Sequence, residues 1–227
     1  MGNSYGNPDQ TPVHTVSLDG FWLDRTEVTN AMFANFLNSE GNQLEGGTNW
    51  LNPDEPLVRV FQKDAIWQVK PGNEKYPIVG ISWYGANAYC ERVGRQLPTE
   101  AQWEFAAKGA QGHRFPWGSD DLDCDHAQYQ GCGNAPVEVG SLPLGANPLG
   151  IYELAGNVAE WINDRYAVDY YQQSLQVNPA GPMNGYYRVI RGGFWNSTYI
   201  ALQTSHRDWA GADKHDSSIG FRCALIP

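Results

Sequence analysis

Three segments of the chain carry the apolar spacing of short amphipathic helices. The first begins after Thr29, and the other two begin after Ser82 and Thr99, residues whose side chains cap helix N-termini well. The second and third segments each end at a glycine, Gly94 and Gly109, as helices commonly do. The stripe of the first segment lies at i, i+3 and i+4 and consists of Phe33, Phe36 and Leu37.

Shorter apolar runs, mostly in the second half of the chain, predict strands. Alternation predicts strands over 13–23, 189–191 and 219–225, and 158–165 reads as a short strand or a helical turn. Residues 39–76 are irregular and rich in turn signals, which predicts a long ordered loop. Helices that come early and strands that come late indicate an α+β fold with an antiparallel core.

Composition and charge narrow the function. The chain has 227 residues, which fits one domain over 1–227, and its 41% hydrophobic and 18% charged residues argue against disorder. A net charge of −10 disfavours nucleic acid as a partner, because phosphates would be repelled. No window approaches the roughly 18 apolar residues of a membrane-spanning helix, and no signal peptide is recognisable.

The four cysteines permit three disulfide pairings. Cys124 and Cys132 flank a short glycine-containing loop, which favours a local pair and would leave Cys90 to join Cys223. The alternative is four free, buried thiols in a reducing compartment. No Cys-x-x-Cys occurs, so a zinc ribbon or a thioredoxin-type site is not expected.

Seven motifs that occur in order along nearly the whole chain carry a family resemblance. They occupy residues 20–30, 77–83, 95–104, 115–118, 150–161, 191–193 and 219–224. As a set they resemble the formylglycine-generating enzyme (sulfatase-modifying factor) family. The resemblance implies a variant of the C-type lectin fold, with few helices, a small antiparallel sheet and much ordered loop. It also implies a disulfide between Cys90 and Cys223.

The chemistry of the family's oxidases is not expected here. Those enzymes hold copper through two cysteines, and soft thiolates suit Cu(I). The matching positions are Ser197 and Leu202, and Phe194 stands at the active-site serine. The five histidines lack the His-x-x-x-His-x-Glu spacing of the iron-dependent branch. We therefore predict neither copper nor iron, and no catalytic residue.

The resemblance does imply a calcium site. The matching loop would supply Glu153 and Glu160, together with backbone oxygens of Gly156 and Val158. Hard oxygen ligands of this kind suit Ca²⁺. The alternative is that Glu160 only accepts hydrogen bonds within a tight loop.

Residues 188–224 resemble the variable region of diversity-generating retroelement proteins, which use the same lectin-type fold. Between the Gly192-Gly193 pair and Gly220 lie many residue types that an Asn codon yields when its adenines change; Trp209 is an exception. The candidate binding residues are Phe194, Asn196, Ser197, Thr198, Tyr199, Ile200, His206, Asp208, Trp209, Ala210, Gly211, Ala212, His215, Asp216 and Ser217.

These residue types predict binding rather than catalysis. Exposed aromatics with serine, threonine and asparagine are typical of antibody paratopes. We expect Tyr199 and Trp209 to be exposed, and Trp195 and Phe221 to lie in the core. The leading hypothesis is a non-catalytic module for a protein or cell-surface ligand. The alternatives are an enzyme of the family with an altered active site, and a sensor or accessory domain of a larger protein.

Overall fold

The computed structural model describes residues 1–118 and 121–226. All three predicted helices are present within them: α1 Asn30–Glu40, α2 Trp83–Arg92 and α3 Glu100–Lys108. The Thr29 hydroxyl accepts a hydrogen bond from the Met32 N–H, and Ser82 caps α2 in the same way. Thr99 and Gln102 form a complete capping box at α3. The helix starts predicted from local sequence are therefore confirmed.

The strands are short and form one four-stranded sheet and several two-stranded pairs. Their bounds are β1 Trp22–Leu23, β2 Leu44–Glu45, β3 Thr48–Asn49, β4 Val60–Lys63, β5 Ile66–Val69, β6 Ala159–Arg165, β7 Tyr187–Arg191, β8 Asp208–Gly211, β9 Ile219–Gly220 and β10 Ala224–Leu225. The larger sheet has the order β8-β7-β6-β9. The mixed α+β class is confirmed, and the three helices and short strands agree with the C-type lectin-like fold that the resemblance implies.

Four predictions about strands need correction. Residues 13–23 are not one strand: Ser17 forms a single bridge to Val177, and only β1 pairs as a strand, with β10. Residues 219–225 divide into β9 and β10, which belong to different sheets. The core is not wholly antiparallel, because β9 runs parallel to β6. Residues 39–76 contain two antiparallel pairs, β2–β3 and β4–β5.

A large apolar cluster packs α1 and α2 against the four-stranded sheet. Phe33, Trp161 and Phe221 are fully buried in it. A second cluster, centred on Trp103, joins α3 to the other face of the sheet region. These clusters fix the strand ends from which the candidate binding segment leaves the sheet.

Both predicted disulfides are present. Cys90 on α2 is bonded to Cys223, which immediately precedes β10, and both are fully buried. The second bridge joins Cys124 to Cys132 across eight positions. No free cysteine remains among the described residues, so the alternative of four free thiols is wrong. In the described part of the chain no helix is long and apolar enough to cross a membrane.

Candidate binding site

The candidate segment leaves the sheet at a sharp turn formed by two glycines. β7 ends at Arg191, and Gly192 and Gly193 follow with φ of 95° and 70°. A Cβ atom on Gly193 would lie 2.9 Å from the Ala201 carbonyl oxygen. Glycine is thus required both by the backbone conformation and by the close approach of the chain. The turn sends residues 194–202 over the end of the sheet.

Two buried arginines hold the far side of the same segment. Arg207 donates to both carboxylate oxygens of Glu100 on α3, at 2.7 and 2.9 Å. Arg191 pairs with Glu104 and donates to the backbone carbonyls of Thr204 and His206. Bidentate and backbone contacts of this kind fix position as well as charge.

The charges in this framework stabilise one another. Burial alone would raise the pKa of Glu104, but Arg191 and Lys108 outweigh it and leave that pKa below its ordinary value. Burial likewise opposes the charge on Arg207, and the neighbouring Glu100 overcomes it and raises the pKa of the guanidinium. Within each pair the partner's charge thus offsets the cost of burial, and breaking a buried pair by removing one partner is costly.

A cavity of about 370 Å³ opens between the sheet end and the segment. Eight of the predicted binding residues line it: Phe194, Ser197, His206, Asp208, Trp209, Ala210, Asp216 and Ser217. Ile190 and Ile219 form part of its apolar floor. Burial and the nearby Arg191 lower the pKa of His206, so its imidazole is neutral at pH 7.

Exposed predicted residues form a rim beside this cavity, and Trp209 belongs to both the rim and the lining. Tyr199 and Ile200 lie on a short 3-10 turn, Tyr199–Leu202, and are 50% and 51% exposed. Trp209 on β8 is 44% exposed, and its ring centroid lies 4.2 Å from that of Tyr187. Asn196 and Thr198 are exposed as well. Tyr199 and Trp209 are thus exposed, as expected.

Several predicted positions have side chains that are absent, buried or engaged within the fold, and Ser197 is one of them although it lines the cavity. Ala212 is buried against the core, where its carbonyl accepts from the Trp83 N–H. Ser197 is 7% exposed, and its hydroxyl accepts from the Phe194 N–H to close the turn. The His215 ring contacts the Asn49 carbonyl at 2.9 Å. Gly211 lies at the end of β8, paired with Tyr187.

The sequence interpretation also misplaced or missed a few residues. Trp195, expected in the core, is half-buried and lines the cavity, whereas Phe221 is in the core as expected. Lys214 lines the cavity too, and Tyr186 and Tyr187 extend the aromatic rim beside Trp209. Both tyrosines come before Gly192-Gly193 in the sequence and so lie outside residues 194–218. They are placed beside Trp209 by the pairing of β7 with β8.

The positions that match the family's copper ligands are filled by residues of another chemistry. Leu202 is fully buried in an apolar cluster with Phe115 and Ala155, and Ser197 closes a turn. All four cysteines are in disulfides, so the donor set does not fit Cu(I). Within residues 1–118 and 121–226, no three His, Cys, Asp or Glu side chains converge on a point that would hold a metal ion.

The loop predicted to hold calcium has a different carboxylate arrangement from the expected one. Glu160 binds the Arg222 guanidinium through both oxygens, at 2.7 to 2.9 Å, and accepts from the Trp103 indole N–H. Its oxygens are thus occupied, and it does not fit the role of a calcium ligand. The Val158 N–H and the Asn157 amide donate to Glu27. The Gly156 N–H donates to the Gly192 carbonyl oxygen.

Glu153 is the remaining carboxylate of the predicted calcium set. Its Oε1 accepts from the Gly140 N–H at 2.8 Å, and its Oε2 is buried without a hydrogen-bond partner among the described residues. Burial raises the pKa of Glu153 to about 7, against the opposing effect of Arg222. Burial and the adjacent Glu153 and Glu160 raise the pKa of Glu27 well above its usual range. One guanidinium therefore faces three carboxylates, and the calcium site stays a prediction that rests on Glu153.

With this fold and cavity described, comparison with known proteins defines the class. The chain is similar in structure to Treponema denticola variable protein 1, with a TM-score of 0.77 and 24% identity, covering 100% of this chain and 91% of that one. It is equally similar to PvdO from Pseudomonas aeruginosa, with a TM-score of 0.80 and 23% identity over 100% and 90% of the two chains. At these identities the likeness establishes the fold.

Sequence comparison identifies the family. The model of the sulfatase-modifying factor enzyme 1-like domain matches residues 1–226, and the chain belongs to that family. It is 32% identical to the formylglycine-generating enzyme of Streptomyces coelicolor, over 99% of this chain and 84% of that protein. It is 38% identical to the serine/threonine-protein kinase pkn1 of Chlamydia caviae, over 98% of this chain but 36% of the kinase. The chain thus spans about a third of the length of the kinase relatives it matches.

Proposed function

We propose that this chain is a non-catalytic ligand-binding domain that presents residues 194–218 to a protein ligand, in the manner of a diversity-generating retroelement variable protein. The observation that carries the proposal is the convergence of eight candidate residues, chosen from sequence, on one cavity. Exposed Trp209 lines it, and the exposed side chains Tyr199 and Ile200 lie on the same segment, between the lining residues Ser197 and Ala201.

The size and walls of the cavity favour a protein ligand. At about 370 Å³ it lies at the small end of ligand pockets, which suits one or two inserted side chains better than a large cofactor. Phe194, Ile190 and Ala210 give it apolar walls, while Asp208, Lys214 and Asp216 add charge at its border. An apolar centre with a polar border is the usual anatomy of a protein interface.

We infer that the chain is not catalytic because it lacks the side chains that would bind copper in the family's oxidases. Ser197 and Leu202 stand where copper thiolates would be needed, and no cysteine lies between Cys132 and Cys223. The cysteines that do exist are bonded in pairs. The cavity therefore offers contact surface at the place where the related oxidases hold their metal.

The variable-protein interpretation is supported because the residues that anchor the segment are different from the residues that it exposes. Arg191 and Arg207 anchor the segment to α3 through buried pairs, whereas Asn196, Thr198 and Tyr199 face solvent. Substitutions at the exposed positions would change the ligand without disturbing those pairs. The chain shares its fold with Treponema denticola variable protein 1, so this scaffold is compatible with such a segment.

The decisive binding experiment uses a displayed library of random dodecapeptides as the probe. The wild-type domain should enrich peptides that neither Tyr199→Ser nor Trp209→Ser retains, and the matched variant Trp22→Ser should retain them. Trp22 is 70% exposed but lies on β1, away from the cavity. Equal enrichment by all variants, or none by the wild type, would remove the binding proposal.

The remaining two claims have separate tests. Incubation with Cu(I) and a cysteine-containing sulfatase peptide should give no oxygen consumption and no mass change, and turnover would restore the enzyme hypothesis. The DNA that encodes residues 188–222 should have a near-copy beside a reverse transcriptase gene, differing only at adenines. If that copy does not exist, the retroelement claim falls while ligand binding can stand.

A second candidate function is a sensor or accessory domain of a larger protein. It is favoured by the match to the kinase pkn1, in which the region similar to this chain makes up 36% of the protein. This candidate predicts that the reading frame encoding the domain also encodes a kinase domain. Sequencing the flanking DNA tests it, and a stop codon at each side would rule it out.

A further inference from the structure

A second pocket, of about 460 Å³, lies beside the binding segment but opens on a different set of side chains. Three stretches meet there: the N-terminal loop, the turn after α3, and residues 203–205. Hydrogen bonds join the three stretches. The Thr204 hydroxyl donates to the His113 carbonyl at 2.7 Å, and the Asn3 amide donates to the Ser205 hydroxyl at 3.3 Å. The pocket is thus a built concavity rather than a gap between mobile loops.

The charge of this pocket is opposite to that of the protein. Its lining includes Lys108, Arg114 and His113, and among residues 1–118 and 121–226 it includes no aspartate or glutamate. The whole chain has 25 acidic residues against 15 lysines and arginines. A lining without carboxylates in so acidic a protein produces a local positive potential, which a concave site concentrates.

Arg114 is the best placed group to bind an anion. Its guanidinium lies over the rings of Phe115 and Tyr199, 5.6 and 5.5 Å from their centroids. In the described part of the chain no carboxylate forms an ion pair with it. The rings thus orient the planar fork and leave its N–H donors available, which is the arrangement that bidentate binding of an oxyanion uses.

The other polar groups suit the same ligand. Lys108 is half-buried, and its ammonium donates to the Gly2 carbonyl and pairs with Glu104 at 3.6 Å, so it adds a weaker charge than Arg114 at the edge of the pocket. Hydroxyl and amide groups of Ser205 and Gln203 add neutral donors. A tetrahedral oxyanion accepts from several donors at once, and it would compensate the charge of Arg114, for which the described residues supply no ion pair, whereas Lys108 already pairs with Glu104.

We propose that this second pocket binds a phosphate or sulfate group, with Arg114 as its principal ligand and Lys108 as a supporting charge. The site is independent of the cavity formed by residues 194–218, and neither its success nor its failure decides the proposed function. Because Arg114 also packs on Tyr199, an anion held there would lie next to the exposed rim of the first site.

The test titrates the complete chain with inorganic phosphate, and separately with inorganic sulfate, at physiological ionic strength. Amide chemical shifts of residues 108–114 and 203–205 should move and saturate. Arg114→Gln should weaken the affinity about tenfold, since a hydrogen bond to a charged group is lost. The matched variant Arg59→Gln, which alters a guanidinium elsewhere that contacts the Pro56 carbonyl, should leave it unchanged.

Two further measurements keep the test decisive. The melting temperature of Arg114→Gln should equal that of the wild type, because this exposed side chain forms no buried pair. Phenyl phosphate and phenyl sulfate distinguish the two sources of the anion, and saturable binding of either supports the site. The proposal is overturned if neither inorganic anion saturates, or if Arg59→Gln weakens binding as much as Arg114→Gln does.

Discussion

The buried carboxyl of Glu153 should make the stability of this protein depend on pH in an unusual direction. Its folded pKa is about 7, against an ordinary value of 4.5. A carboxyl whose pKa is raised on folding stabilises the protein while it is protonated. That contribution is complete below about pH 4.5 and is lost as the pH rises through 7. Glu27, whose pKa is also raised, acts in the same direction.

The magnitude follows from the size of the shift. The difference of 2.5 between the two pKa values, at 1.36 kcal/mol for each unit, corresponds to about 3 kcal/mol of stability lost between acid and alkaline pH. Glu153→Gln replaces the carboxyl with a neutral amide that can still accept from the Gly140 N–H. We therefore expect this variant to be more stable than the wild type by up to about 3 kcal/mol near pH 8, and little changed near pH 5.

The assay is guanidinium unfolding followed by tryptophan fluorescence, with both disulfides intact and a chelator present. Free energies of unfolding are compared near pH 5 and near pH 8 for wild type, Glu153→Gln and the exposed control Glu91→Gln. The control should follow the wild type at both pH values. If the wild type and Glu153→Gln give parallel curves, Glu153 does not titrate in this range and the reasoning about the buried cluster is refuted.

Three further predictions concern the ion, the framework and the disulfides. If calcium binds through Oε2 of Glu153, adding Ca²⁺ near pH 8 should raise the melting temperature of the wild type but not that of Glu153→Gln. Equal shifts in the two proteins would contradict the calcium site. Arg207→Met should cost about 3–5 kcal/mol in chemical unfolding, because it removes the bidentate partner of buried Glu100 and leaves that carboxylate only the longer contact with Arg191; a cost below about 1 kcal/mol would contradict the framework argument. Replacing both cysteines of the Cys90–Cys223 bridge by serine should cost about 5 kcal/mol, and the same change at Cys124–Cys132 about 2.5 kcal/mol, from their loop lengths; the reverse order in urea unfolding would contradict this.

Local chemistry explains why the helices were predicted well from sequence. A helix start depends on a capping side chain and an apolar stripe only a few residues away, so Thr29, Ser82 and Thr99 could be recognised directly. The predicted strand at 13–23 was wrong over most of its length because, in the described part of the chain, its apolar alternation finds pairing partners only at the single bridge of Ser17 and at Trp22–Leu23, which pair with β10. Pairing partners are far apart in sequence, and alternation does not reveal them.

The site was predicted in part for the same reason. Residue type along the segment predicted which side chains suit binding, and Tyr199 and Trp209 are exposed accordingly. It did not predict that Ala212 would be buried, because that depends on how β8 leads into the contact with Trp83. Residue type also did not predict that Arg222 would bind the carboxylate of Glu160, because the two residues are 62 positions apart in the chain.

The arginine pairs explain how one scaffold can support a changeable surface. Arg191, Arg207 and Arg222 are almost completely buried, and each binds a carboxylate on another element. Because a buried pair is costly to break, these contacts confine the segment to one path over the sheet. The exposed residues between them contribute little to that restraint, so their replacement should leave the free energy of unfolding almost unchanged while it alters what the cavity rim can bind. Stability and recognition are therefore assigned to different side chains within residues 191–222.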